Sequence, residues 1–326
     1  MLRLLTTLAL VACASEVPEV TAFQPKYRVS LTFDELPYQV GRDGQPLLHH
    51  AATQKQISRK IIHHLHTHQT HATVFTHCDH LPPKHGILAL WKENGHSVGN
   101  MGATHIDANT TPLDHWAKQI KTCATVLKKA QIQDPPWFRF PDLQRGWTPA
   151  RNAQLKEILN QQGLIAVPAS VPTADHLFHR IYQRALDRGN QPLAEEIAQR
   201  YIDHVVAGIQ QISSFSKKSI GWDIPHILAM HVNRLNADLL DRLLHRLRTE
   251  QIELIPLHET IQDPVYAAPL QYFGTSRSSW LYRITPTDGE TQDWFGQAEW
   301  RLTEQYPAAL LEVNDAPSPQ PGEGLQ

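Results

Sequence analysis

The chain has 326 residues, 41% apolar and 19% charged, which suits one large domain with appendages or two modest ones and excludes wholesale disorder. Thirty Lys and Arg against 32 Asp and Glu leave a net charge of −2, too balanced to grip a phosphate backbone, so a dedicated nucleic-acid binder is excluded. No apolar run nears the ~20 residues of a spanning helix, and 20 His would make the surface strongly cationic in mild acid.

Met1-Leu2-Arg3 leads into an apolar stretch, Leu4 to Ala12, and then Cys13-Ala14-Ser15-Glu16. A basic start, a short apolar segment and small residues describe an export signal over residues 1–14. Leu10-Val11-Ala12-Cys13 resembles a lipobox, which would make Cys13 a lipidated N-terminus. Ala12-Cys13-Ala14 also fits ordinary cleavage, and an uncleaved apolar segment is the plain alternative. The expectation is an exported, periplasmic protein, with a lipid anchor at Cys13 favoured over clean release.

A strand is expected at 27–33 (YRVSLTF), then a helix at 54–69 with Ile57, Ile61, Ile62 and Leu65 on one face. A strand at 72–76, a helix at 82–94, a strand at 96–99 and a long helix at 111–130 come after it. Next come a strand at 137–140, a helix at 150–162 and a strand at 164–167, then a helix at 193–215. A strand at 226–231, a helix at 237–249 and a strand at 253–255 end the series. This alternation implies an α/β fold with a mostly parallel sheet, doubly wound or closed as a barrel. Ligand groups then belong on loops at the C-terminal strand ends, after Phe33, Thr76, Gly99, Phe140, Val167 and Met230. From 264 to 310 the alternation stops, and Trp280, Trp294 and Trp300 are expected to pack this extension onto the barrel; 311–326 reads as a disordered tail.

Cys78 and Cys123 read as two buried thiols rather than a pair, although export would allow a disulfide. His63, His64, His66, His68, His71, His77, His80 and His85 crowd the first helix and the strand after it. With no acid or Cys interleaved at fixed spacing, they read as a polar outer face and not as a metal clip.

The strand ends carry Asp34-Glu35-Leu36-Pro37, then Gly99-Asn100-Met101-Gly102-Ala103-Thr104-His105, then Phe138-Arg139-Phe140-Pro141, and late in the chain Leu228-Ala229-Met230-His231. In order and spacing this resembles the NodB-type polysaccharide deacetylases of chitin, xylan and peptidoglycan over about 28 to 264. The resemblance implies a distorted (β/α) barrel over 27–263. It also implies a divalent metal, usually zinc, on one acid and two His, and an acetylated polysaccharide as partner. By the same resemblance Asp34 matches the general base, Arg139 the residue that orients it, Asp175 the fourth-motif acid and His231 the general acid. Pro141, Asp142 and His176 fall on substrate-groove positions, and His105 matches one metal His.

Several positions depart from the family pattern. Glu35 stands for the ligating Asp, Met101 for the other metal His, Asp142 for a Tyr and His176 for a groove Trp. A thioether suits Cu(I) better than Zn(II), so the metal is expected to be weakly bound or absent, with His176 the candidate to fill the gap. Restoring Met101→His with Glu35→Asp is expected to raise activity. The function expected is hydrolysis of an N-acetyl C–N bond in cell-wall or chitin-type glycans by metal-activated water. The alternatives are a pseudoenzyme that binds carbohydrate without turnover and, further off, a metal-binding protein using the His-rich face.

Overall fold

Apolar and polar residues alternate along YRVSLTFDEL, the first strand β1 (Tyr27–Leu36), yet both sets are buried. Val29, Leu31 and Phe33 lie in the main apolar core, while Ser30, Thr32 and Asp34 are buried on the other face. Burial on both faces marks a parallel strand covered on two sides. A computed structural model describes residues 24–36, 51–79, 81, 86–274, 279–286, 301–302 and 304–306. After β1 come α1 (Ala51–Thr67), β2 (Ala72–Thr76), α2 (Ile87–Glu93), β3 (Ser97–Asn100), α3 (Leu113–Lys129) and β4 (Trp137–Phe138). The chain continues through α4 (Pro149–Gln161), β5 (Ile165–Ala166), β6 (Val171–Pro172), α5 (Asp175–Asp187) and α6 (Gln191–Ile220). It ends with β7 (His226–His231), α7 (Arg234–Thr249), β8 (Ile252–Leu254), α8 (Leu257–Thr260) and α9 (Trp280–Ile284).

The sheet runs β5-β4-β3-β2-β1-β7-β6, with β8 added beside the start of β1 and every pairing parallel. The chain leaves β1 in one direction as far as β5, crosses to β6 and returns through β7. β1 is therefore the switch point, where open α/β sheets place ligands. Among the described residues β5 and β6 do not pair, so the sheet curls into an open, distorted (β/α) barrel. Residues 167–170 bridge the opening: Val167 N–H donates to Phe138 O and Ser170 N–H to Ile227 O. Trp280 seals it, donating its backbone N–H to Ala169 O and its indole N–H to Val265 O. Trp294 and Trp300 lie outside the described residues, as do the export segment with Cys13, the tail, His80 and His85.

The structure corrects the sequence reading in three places. β6 and α5 were not expected, and α6 runs on to Ile220. β6 is two residues long and contains Pro172, tolerable because the strand is at an edge. Cys78 and Cys123 form a disulfide with Cα atoms 5.0 Å apart, tying the end of β2 to α3. Closing a loop of that length is worth about 4 kcal/mol in the chain-entropy description. Another difference is that the polar outer face expected for the His-rich helix carries ion pairs to a neighbouring helix. His68 pairs with Asp241 at 2.8 Å and Lys60 with Asp238 at 2.5 Å, both joining α1 to α7. None of the described residues of α1 belongs to a three-donor metal group. No helix among the described residues is long and apolar enough to cross a membrane.

The packing around two residues makes testable demands on stability. A Cβ on Gly99 would sit 2.5 Å from two ring atoms of Phe75 and 3.3 Å from Trp137 O. Gly99→Ala should therefore cost about 1–3 kcal/mol, read by thermal unfolding. An unchanged midpoint would show that the ring can give way.

At the N-terminal end of β7, His226 is fully buried between Ser213 Oγ at 2.7 Å and Ser170 Oγ at 3.3 Å. Burial, then Lys217, depresses it to about 3 from 6.5. A His depressed in the folded state adds stability that is complete above the unfolded value and is lost as pH falls below it. Between about pH 6.5 and 3 this one side chain should cost about 2 kcal/mol by pH 5. His96, His179 and His204, each lowered to about 4 by burial, add to it with the same sign. Denaturant melts at pH 7 and pH 5 test this: His226→Gln should lose its share of the slope, and an unchanged slope would contradict it.

Candidate metal and hydrolytic site

Consecutive strand residues point to opposite faces, yet Asp34 and Glu35 both contribute to one cleft. The backbone explains how. Glu35 has φ 60, in the left-handed region, and the β1–β2 register shifts between Phe33 and Leu36. This conformation costs roughly 1–2 kcal/mol for a residue with a Cβ, strain of the kind that persists where a site over-determines it. The same region recurs on the other rim loops, at Asp142 (φ 53), Leu143 (φ 58) and Ala174 (φ 52).

Four strand ends meet at the base of the cleft. Asp34 lies opposite His231 in the β1–β7 register. The Arg139 guanidinium is fully buried, stacked 4.6 Å over the Phe75 ring, with one nitrogen donating to Thr32 Oγ1 at 2.9 Å and another 3.6 Å from Asp34 Oδ2. Burial raises the Asp34 carboxyl above its usual range, although Arg139 and His231 pull it down. Among the described residues no hydrogen-bond donor reaches Asp34 Oδ1, which is buried. A carboxylate with a raised proton affinity and an unsatisfied oxygen is placed to accept a proton.

On the opposite wall Asp175, 1% exposed, holds His231 in two ways. Its Oδ1 is 2.7 Å from His231 Nδ1, and its Oδ2 accepts the His231 backbone N–H at 2.9 Å. Oδ2 also accepts from Asn233 at 2.8 Å and Asn236 at 2.7 Å, and Asn236 in turn accepts from Tyr201 at 2.6 Å. Burial alone would lower His231, but Asp175, with Glu35 and Asp34 behind it, pushes it up to about 10. Asp175 thus fixes the orientation of His231 and favours its charged form.

The metal donors differ from the expected set. Glu35, His77 and His105 each present one ligand atom within 4.8 Å of the others. His105 Nε2 is 3.4 Å from Glu35 Oε1 and 3.8 Å from Asp142 Oδ1, and the His77 and His105 rings are 5.4 Å apart. One carboxylate and two imidazoles are the usual protein ligands of a catalytic zinc site, so the residues fit a divalent ion. The donor beside Glu35 and His105 in this group is His77, which the sequence reading did not name as a ligand, while His176 stands in a separate group with Asp175 and His231. Thr76 pairs with Asn100, and Met101 N–H donates to Thr76 O, so His77 and Met101 each come one residue past the paired ends of β2 and β3. His77 also shares the parity of Phe75, the ring beneath Arg139 and against Gly99. The sequence signal was present, since the residue after Thr76 is a strand end. It was hidden among the neighbouring His.

Asp142 is beside His105, and His176 is on the Asp175–His231 wall, its ring 5.9 Å from that of His231. Pro141 opens the short turn that carries Asp142 and is buried.

Residues 23–167 match the family model described as polysaccharide deacetylase. Asp175 and His231 lie beyond that segment. Among solved structures, a mutant of BA3943, described as a CE4 family pseudoenzyme with restored enzymatic activity, is 16% identical. It aligns with 74% of this chain and 70% of its own, at a TM-score of 0.50. Wild-type BA3943, a CE4 family pseudoenzyme from Bacillus anthracis, is 15% identical over 74% and 67% at 0.49. A family 4 carbohydrate esterase from Streptomyces lividans in complex with acetate is 15% identical over 71% and 93% at 0.47. At these identities the likeness to the BA3943 mutant is one of fold. No curated protein matches.

Proposed function

Because the chain belongs to the polysaccharide deacetylase family, matched over residues 23–167, we propose that it hydrolyses N-acetyl groups of amino-sugar polymers of the chitin or peptidoglycan type. One observation carries this reading: a buried base, a three-donor metal set and a carboxylate-held imidazolium converge at the C-terminal ends of neighbouring strands. Glu35, His77 and His105 would hold the divalent ion, zinc by its donor chemistry. When bound there, such an ion supplies Lewis-acid polarisation and a lowered water pKa.

The remaining work falls to the chain's own residues. Arg139, pinned by Thr32 and Phe75, fixes Asp34. Asp34 takes the proton of the attacking water as the water oxygen bonds to the acetyl carbon. His231, oriented by Asp175, gives its proton to the sugar nitrogen as the C–N bond breaks, which leaves acetate and a free amine. Water and amide are consumed in equal number, and the proton taken by Asp34 restores His231 through solvent. Pro141, Asp142 and His176 line the approach. An exported chain, lipidated at Cys13 or cleaved near it, would meet such glycans outside the cytoplasm.

Acetate release from N-acetylchitooligosaccharides and peptidoglycan fragments, with zinc and with a chelator, tests the reading. Zinc-dependent release is expected. Binding without release on every substrate would favour the second reading, that of a groove without turnover. The lengthened Glu35 and the Asp142 carboxylate beside His105 are the observations that favour that second reading.

A further inference from the structure

The cleft holds a second donor group besides Glu35, His77 and His105. Asp175, His176 and His231 each offer one ligand atom within 4.8 Å of the others. Two of them form the buried acid–imidazole pair already described. His176 is the addition: its ring stands edge-on to His231 at 73°. Its position is set by the chain, because Asp175 and His176 open α5 directly after Ala174, whose left-handed φ of 52 turns the helix start toward the cleft. An aromatic hydrocarbon at this point would give packing area only. An imidazole adds a borderline-soft donor beside another imidazole and a carboxylate, the ligand chemistry of Zn²⁺ and its neighbours.

We propose that Asp175, His176 and His231 form a second, inhibitory site for a divalent cation of the zinc type. Entry of the ion sends the proton of His231 to solvent, because a ligating imidazole must be neutral. The ion then replaces the Nδ1–Oδ1 bond by which Asp175 aimed His231, and leaves the ring without the charge that made it the acid. The first ion fills the Glu35 group, where the His105–Glu35 contact is 3.4 Å, and the second, which must open the 2.7 Å His231–Asp175 bond, binds only at excess. The inhibition rests on His231 acting as the general acid; the binding does not.

The test is a zinc titration of metal-free full-length protein against a chromophoric chelator, with acetate release measured in parallel. Wild type should take two ions, the second at least ten-fold more weakly, with activity rising to one equivalent and falling towards two. His176→Phe and His176→Gln should each take one ion and show no fall at excess, each scaled to its own maximum. His77→Ala should keep only the weaker ion. A wild type that takes one ion, or His176 variants that still take two, overturns the second site. Two ions bound with no acetate released at any ratio upholds the site and sinks the hydrolase reading instead.

Discussion

Replacing His77 by alanine is expected to weaken zinc binding by about 100-fold or more and to lower acetate release at least as far. Loss of an outer partner of a metal ligand already costs roughly 10–100-fold, and His77 is one of three direct donors. The informative comparison is with Met101. Sequence reasoning expects Met101→His together with Glu35→Asp to raise activity, but with His77 in place a histidine at 101 adds a fourth protein donor. Catalytic zinc keeps three protein ligands and one open position, whereas four closed ligands make a structural site. Met101→His alone should therefore bind zinc more tightly and hydrolyse more slowly than wild type. The double variant His77→Ala/Met101→His carries the imidazole back across one strand and should recover both binding and turnover. Competition for zinc with a chelator reads the affinities. Equal zinc affinity in wild type and His77→Ala would remove His77 from the site.

Asp175→Asn is the second large effect. Oδ2 of Asp175 gathers the His231 N–H, Asn233 and Asn236 while Oδ1 holds His231 Nδ1. An amide oxygen in the Oδ2 place keeps its three donors, and the NH2 then faces His231 Nδ1, which accepts only when the ring is neutral. With the negative charge gone, His231 loses the main attraction opposing its burial and should be neutral near pH 7. A neutral imidazole is a far weaker acid, and general-acid contributions of about 10²–10⁴-fold set the expected fall in kcat. Substrate binding should change little. NMR titration of His231 separates the charge effect from simple unfolding: a variant that keeps its imidazolium and its kcat would show that Asp175 is only structural.

The parts of the fold that were legible in the sequence are those with long or regular patterns. β1 and β2 carry β-branched and aromatic residues, β7 a short apolar run, and α1, α3 and α7 apolar stripes. Asp34, Arg139, Asp175 and His231 could be placed through the order of the family's motifs, the first two and the last at or near expected strand ends and Asp175 with no strand expected directly before it. Their convergence requires the parallel register, and the β1–β7 pairing supplies it. That His77 stands with Glu35 and His105 was not legible, because the three lie far apart in the chain and only the sheet brings them together. The disulfide escaped for the same reason, with 45 residues between its partners. α5 does have a stripe, Leu177, Phe178, Ile181, Tyr182 and Ala185, but His and Arg residues interrupt it and its two-residue β6 neighbour has no period to read. For Glu35 the sequence shows only the extra carbon of the side chain. Its left-handed backbone, which no propensity scale assigns to glutamate, is what delivers that carboxylate to the cleft.

A zinc-edge anomalous map from crystals of the full chain loaded with one equivalent of zinc tests the relocated ligand most directly. We predict one peak bonded to Glu35, His77 and His105 at about 2.0–2.2 Å, with the Met101 sulfur outside bonding distance. A peak bonded to Met101 or lying away from His77, or no peak in this cleft at all, would contradict it.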